Sequence, residues 1–450
     1  MLRNDASFRD PDGYVFEHGG RLFRGLTEQA AARFAEHDAF YCAAVDKGLL
    51  VPFSDAAPGF GFHAVIAPEK LPLVTYPYEW SYEQLKDAAL VTLDINVLAL
   101  EHGLTLKDAS AFNIQWRDGR AIFIDHTSFE ATEGGLPWRP YSQFCRHFLN
   151  PLVVGAYRDV HVGAFFRVDL DGLHQQLAND LLPLRARFKP SVLVHMFAHN
   201  HFIRKSSHFE GKTEAASVQT RGRQIDLLRQ LRAFIEGLTA ARAASTWADY
   251  YENTNYVEAA FEQKKQIVAN CFAGRQLSTV WDVGANDGTF SRLIASSARS
   301  VLALDLDHNA VNANYSFNRA HGHAGIHALV YDVGNPTPAL GFRNRERSTL
   351  EERSKPDAII ALAVIHHLAL TNNVPLTESA RYFAERTAEL VIEWVGRSDS
   401  QVQRLLAQKN TSYDWYTEAG FRSAFEERFA VASVTPIAGT DRTIYHLRSA

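Results

Sequence analysis

Residues 280–291 read VWDVGANDGTFS: an apolar run ends on Asp282, a turn carries Gly284, Asn286 and Gly288, and a helical stretch starts near Gly288. Gly284 permits a tight turn with no Cβ in the way. Gly288 lets a ligand approach a helix start, where unpaired N–H groups point outward. A lone G-x-x-x-G is equally a pair of turn glycines, and three further features give it weight. Asp305 closes a second apolar run, VLALD, 17 residues beyond Gly288, where a doubly wound fold places the acid that accepts ribose hydroxyls. Asp332 closes a third run, LVYD, within reach of a base amino group. A fourth, DAIIALAVI, passes through Ala361 into His366 and His367, and Glu393 ends a fifth. Histidine titrates near neutral pH, so His366 or His367 can take a proton from an acceptor hydroxyl; capping or packing of the next helix is the alternative. Glu393 reads as orienting a substrate or as a structural hydrogen-bond partner, and Asp307 as a solvated helix-starting acid.

A second constellation lies upstream. Asp108 is followed five residues later by Asn113, and Asp125 lies twelve beyond that. This spacing resembles the catalytic loop and metal-binding Asp of protein kinases and small-molecule phosphotransferases. The resemblance implies that Asp108 receives a hydroxyl proton while Asn113 and Asp125 hold Mg²⁺ against the phosphates of ATP. The departures are Lys107 before the first Asp and His126-Thr127 after the last. No G-x-G-x-x-G or V-A-I-K precedes them; Arg24 is the nearest cation on an early strand, with Lys70 a second option. Turn roles for Asp108 and Asn113, and a cap role for Asp125, compete with this reading.

These residues need elements to hold them. Residues 14–16 and 21–24 flank His18-Gly19-Gly20 as a hairpin, 27–47 form an Ala-rich helix with Thr27 as N-cap, and strands follow around 49–53 and 62–66. A kink at 76–80 leads into a helix over 81–102, and Arg117-Asp118-Gly119-Arg120 is a turn between two strands. Residues 141–200 are mostly helical. The polar segment 204–223 is a linker and 224–243 an amphipathic helix. Beyond it, strands to 283, at 300–306, about 327–332, 357–363 and 389–395 alternate with helices about 288–298, 308–318 and 377–386, predicting a doubly wound parallel sheet. The charge-dense stretch 342–356 reads as a solvated loop, and the aromatics of 247–256 as a helical lid.

The C-terminal half, about 245–450, resembles the class I S-adenosylmethionine-dependent methyltransferases through D-x-G-x-x-x-G at Asp282, Gly284 and Gly288. The resemblance implies that Asp282 and Gly284 face the cofactor's amino-acid end, Asp305 the ribose and Asp332 the adenine, with residues after Ala361 lining the transfer region. Asn286 stands where a hydride-transfer fingerprint has its second glycine, which disfavours a nicotinamide cofactor. The segments PYEWSYEQLKDAAL, LKDASAFNIQW, IFIDHTSFE and PWRPYSQFCRHFLNPL, followed by this half, are similar over nearly the whole chain to a group of bacterial methyltransferase-like proteins, some of them nodulation-protein-like. The expected fold is α/β, a Rossmann-like methyltransferase sheet (246–450) preceded by an α+β kinase-like domain (1–203, lobes about 13–75 and 81–203) and a linker with helix (204–245).

At 450 residues the chain is too long for one core. It is 46% hydrophobic and 22% charged with net charge −5, usage of a soluble globular protein with no basic field for nucleic acid. No apolar run approaches the ~18 residues that span a bilayer. Cys42, Cys145 and Cys271 lie far apart and the 19 histidines show no metal spacing, which fits a cytoplasmic protein with no metal in the methyltransferase half. The expected function is methyl transfer from S-adenosylmethionine to a hydroxyl or amine of a small or glycosylated metabolite, the kinase-like domain aiding acceptor binding. The alternatives are a bifunctional phosphotransferase–methyltransferase using Mg-ATP at Asp108, Asn113 and Asp125, or a non-catalytic S-adenosylmethionine-binding protein.

Overall fold

The computed structural model describes residues 2–57, 59–132, 138–198, 220–241 and 258–449. The chain forms two compact units, Met1–Ala243 with Pro338–Ser348, and Ala244–Thr337 with Thr349–Ala450. The segment 247–256, and 204–219 of the expected linker, fall outside the described residues.

In the first unit, β1 (Leu2–Arg3), β2 (Gly13–His18), β3 (Arg21–Leu26), β4 (Phe53–Ala56) and β5 (Ala64–Pro68) make a five-stranded sheet in the order β1-β2-β3-β5-β4. β2 and β3 turn at Gly19 and Gly20, both at positive φ (58 and 75), as a two-residue hairpin matched to strand twist requires. Thr27 caps α1 (Glu28–Glu36), its hydroxyl accepting the Ala30 N–H. The helix expected over 27–47 breaks at His37, and α2 (Asp38–Asp46) takes a new direction that buries Phe40 and Tyr41. The strand expected at 49–53 begins only at Phe53; Leu50 makes an isolated bridge to Phe123.

Glu79 accepts the Tyr76 N–H at 2.8 Å, which fixes the kink. Ser81 and Gln84 then form a capping box for α3 (Tyr82–Glu101), whose residues are buried on most faces, as befits a central helix. Behind it β6 (Leu104–Leu106) pairs with β9 (Phe129–Ala131), and β7 (Ile114–Arg117) with β8 (Arg120–Phe123). The latter hairpin turns at Asp118 and Gly119, φ 51 and 75. The charged stretch is not wholly solvated: Phe342 to Arg345 are exposed, but Glu346 is buried and the Arg347 guanidinium lies 4.3 Å from the Phe112 ring centre. Cation–π contact and the Arg9–Glu346 ion pair (2.7 Å) fold Pro338–Ser348 into this unit.

The second unit carries a seven-stranded sheet. Its strands are β10 (Leu277–Val283), β11 (Ala298–Asp305), β12 (Ile326–Val330), β13 (Ala358–Ala361), β14 (Glu389–Val395), β15 (Phe429–Pro436) and β16 (Arg442–Ser449), ordered β12-β11-β10-β13-β14-β16-β15. The first five are mutually parallel, and β16 and β15 add antiparallel. Every residue of β13 and β14 is buried, which is why these runs are continuously apolar rather than alternating. The helices include α4 (Glu258–Phe272), α5 (Thr289–Ile294), α6 (His308–His321) and α7 (Leu376–Ala384). α5 stops short of the expected 298 because Ala295–Ser297 tightens to 3-10 before β11, whereas α6 runs to His321 and closes at Gly322 (φ 73). Among the described residues no helix is long and apolar enough to cross a membrane.

Candidate functional site

The chain builds β11 and β12 to one side of β10, then crosses to β13 on the other. The carboxyl ends of β10 and β13 therefore flank the switch point at which such sheets bind ligands. Register places Val283 beside both Leu304 and Ala361, and Asp305 beside Val330. Asp282, Asp305, Asp332 and Ala361 thus share one edge.

Three left-handed residues shape the turn after β10: Gly284 (φ 74), Asn286 (φ 48) and Gly288 (φ 81). Gly284 N–H and Ala285 N–H donate to the Leu304 carbonyl at 2.8 and 3.1 Å, drawing the turn across the end of β11. Asn286 N–H then donates to Asp305 Oδ2 at 2.8 Å, and Asp307 N–H to Oδ1 at 2.9 Å. Asparagine tolerates the left-handed region, so a glycine is not needed there. The glycines serve packing. A Cβ on Gly284 would meet Val364 Cγ2 at 2.6 Å, and one on Gly288 would meet Asn314 Oδ1 at 2.2 Å. At Gly288 the Cβ direction is taken by Asn314 of α6, so packing against that helix requires the glycine there.

Asp282 is buried, and Ser291 Oγ donates to its Oδ2 at 2.6 Å. Burial pushes its carboxyl up to about 6 against the Ser291 bond, and does the same to Asp305 against backbone donors at Asp307, Asn286 and Leu306. Asp332 lies two residues past β12 and accepts the Gly334 N–H at 2.8 Å. Asp307 caps α6 through Asn309 N–H (2.8 Å), as expected, but is buried rather than solvated.

His366 and His367 follow β13 with ring centres 4.1 Å apart. His366 is 0% exposed, neither ring nitrogen has a hydrogen-bond partner, and burial holds its pKa well below the ordinary histidine value. His367 is half-buried and pushed down to about 4, by burial first and then by Arg442. Glu393 is also fully buried, with Lys264 Nζ at 2.7 Å and Arg442 Nη1 at 3.6 Å; Arg442 Nε continues to Asp399 at 2.7 Å. The substrate-orienting reading of Glu393 is corrected, because its carboxylate is committed to two buried cations.

In the first unit, Asp108, Asn113 and Asp125 do come together. Asn113 Nδ2 donates to Asp108 Oδ2 at 3.2 Å and lies 3.3 Å from Ser128 Oγ, which donates to Asp125 Oδ2 at 2.5 Å. Asp108 Oδ1 accepts from Gln143 Nε2 (2.7 Å) and Ser110 N–H (3.0 Å). Burial, then Asp125, raises the Asp108 pKa. Asp125 Oδ1 receives Arg24 Nη1 at 2.8 Å and Thr127 N–H at 3.0 Å. Mg²⁺ requires oxygen ligands and a place among them. Here Arg24 takes that place, and Asn113 turns its amide nitrogen toward Asp108. The arrangement does not fit the metal.

No family model matches the chain. The nodulation protein NoeA of Rhizobium meliloti (strain 1021) is 33% identical over 453 aligned residues, covering 98% of this chain and 94% of NoeA. The chain belongs to the NoeA family. Among solved structures it is similar to the N-methyltransferase NodS of Bradyrhizobium japonicum WM9 with S-adenosyl-L-homocysteine (12% identity, 46% of this chain and 93% of NodS, TM-score 0.33). It is also similar to the magnesium protoporphyrin IX methyltransferase ChlM of Synechocystis PCC 6803 (13%, 58% and 99%, TM-score 0.31). A third likeness is to WbdD (15%, 46% and 41%, TM-score 0.29), of whose length the chain spans less than half.

In this NoeA-family chain the sequence reading missed Lys264, Ser291, Arg442, Asp10 and Asp12. One signal for Lys264 existed: Ala260, Lys264, Val268 and Phe272 are the buried positions of α4 at four-residue spacing, so a lysine interrupts an apolar stripe. Arg442, on β16, carried no local signal.

Proposed function

We propose that the second unit transfers a methyl group from S-adenosylmethionine to a hydroxyl or amine of a small or glycosylated metabolite. The observation that carries this is the row of carboxylates Asp282, Asp305 and Asp332 along the carboxyl edge at the switch point. The donor's ammonium, ribose hydroxyls and adenine amino group are all hydrogen-bond donors, and a carboxylate retains acceptor capacity beyond one bond per oxygen. The bound donor supplies an electrophilic methyl on a sulfonium. Its net positive charge suits a site where two carboxyls are raised by burial, since a cation favours their ionised form.

What the protein contributes is positioning and removal of a proton. The turn at 284–288 is pinned to Leu304 and Asp305 before any ligand arrives, so little ordering remains to be done on binding. His367 is the base: burial keeps its imidazole neutral at pH 7, and it is the less buried of the pair. His366 sets the packing beneath it. The first unit, with an antiparallel sheet, a kinked connection and a central helix before Asp108, Asn113 and Asp125, is kinase-like in arrangement and serves acceptor binding.

Isothermal titration with S-adenosylmethionine tests the reading. Saturable binding by the intact chain, weakened at least tenfold in Asp305→Ala, is expected. No binding, or binding unchanged in that variant, counts against it.

A further inference from the structure

In the first unit the loop between β1 and β2 points carboxylates at cations. Asp10 pairs with Arg24 on β3, and Asp12 with both Arg33 on α1 and Lys107. Arg33 lies at 2.5 Å, and Thr127 Oγ1 stands 2.6 Å from Asp10 Oδ2. Arg24, only 5% exposed, bridges Asp10 to Asp125. Three cations thus face three carboxylates, Asp10, Asp12 and Asp125. In phosphoryl-transfer enzymes with this order of elements, the loop of the first hairpin is glycine-rich and covers the phosphates. Here residues 4–12 read NDASFRDPD, with no glycine.

The loop is also fastened. Leu2 pairs with Glu17 and Arg3 with Phe16, Asn4 N–H donates to the Val15 carbonyl at 2.9 Å, Thr27 N–H donates to the Asp12 carbonyl at 3.0 Å, and Arg9 holds Glu346 at 2.7 Å. Gly13 (φ 144), which ends it, cannot carry a Cβ, since Gly25 O would lie 1.9 Å away.

We propose that Arg24, Arg33 and Lys107 form a polyphosphate-binding site that the chain fills with its own Asp10 and Asp12. The loop stands in for the phosphates, so the folded chain excludes ATP and inorganic pyrophosphate. Removing the two carboxylates leaves three cations against Asp125 alone. The inference does not depend on the methyltransferase reading, because it concerns residues of the first unit only.

Titration calorimetry of the full chain with inorganic pyrophosphate, and separately with Mg-ATP, tests it, circular dichroism melting serving as the fold check. The wild type is expected to bind neither at millimolar concentration. The Asp10→Asn/Asp12→Asn variant is expected to bind pyrophosphate at least tenfold more tightly than wild type, and addition of Lys107→Ala to abolish the gain. Binding of Mg-ATP as well as pyrophosphate would identify the anion as a nucleotide's. If the double variant does not melt cooperatively, Asp12→Asn alone, which releases Arg33 and Lys107, is read in its place. Equal binding by wild type, or a folded variant that binds neither probe, overturns the proposal.

Discussion

At the scale of single residues, burial decides the behaviour of the charged groups in the second unit. Asp282 and Asp305 each titrate near 6 because desolvation outweighs their donors. A cationic ligand binds their ionised forms, so its affinity is present above that pH and lost below it. The dissociation constant for S-adenosylmethionine should therefore rise between pH 7.5 and 5 by on the order of tenfold for each of the two carboxyls that must ionise; calorimetry giving a flat profile would contradict the assignment. Glu393 answers to a different balance. Lys264 and Arg442 are both nearly inaccessible; Arg442 keeps Asp399, but Glu393→Ala leaves the buried Lys264 without its nearest counter-charge. That should cost about 3–5 kcal/mol in denaturant unfolding, whereas an exposed ion pair would cost under ~1 kcal/mol.

At the scale of elements, the turn between β10 and α5 works because a helix from elsewhere fills the gap beside it. Gly288 is left-handed and abuts Asn314 of α6. Gly288→Ala should lower stability by about 2–3 kcal/mol, from backbone strain and the clash together. Adding Asn314→Ala should recover part of that loss by removing the clash and leaving the strain. Because Asn314→Ala also removes the buried bond from Asn318 Nδ2 (2.7 Å), it is melted alone as well; additive losses in the double variant would place the whole cost of Gly288→Ala in the backbone. The same turn was legible in sequence because strand, glycines and helix follow one another locally. The elements that ended elsewhere than expected, α1 with α2 and β4, failed for the opposite reason: their limits follow from which side chains the neighbouring sheet and α3 accept.

At the scale of the molecule, two units are distinguished, and the cofactor reading engages one of them. Saturating S-adenosylmethionine at a hundred times its dissociation constant should stabilise the protein by about 2.7 kcal/mol. Hydrogen-exchange mass spectrometry should then show protection at 282–288 and 305–307, with α3 unchanged; protection spread evenly over α3 as well would refute that localisation. The amino-acid order by itself determined the five parallel strands of the sheet, though not the antiparallel β15 and β16, with the two glycine hairpins and the carboxylates at strand ends, because periodicity, apolar runs and turn residues act over a few positions. It also carried the spacing of Asp108, Asn113 and Asp125. Only the tertiary structure decided what those groups do. Arg24 reaches Asp125 across 101 positions and Lys264 reaches Glu393 across 129. A charge's role is set by the partner and the water it meets in three dimensions, and neither is written beside it in the chain.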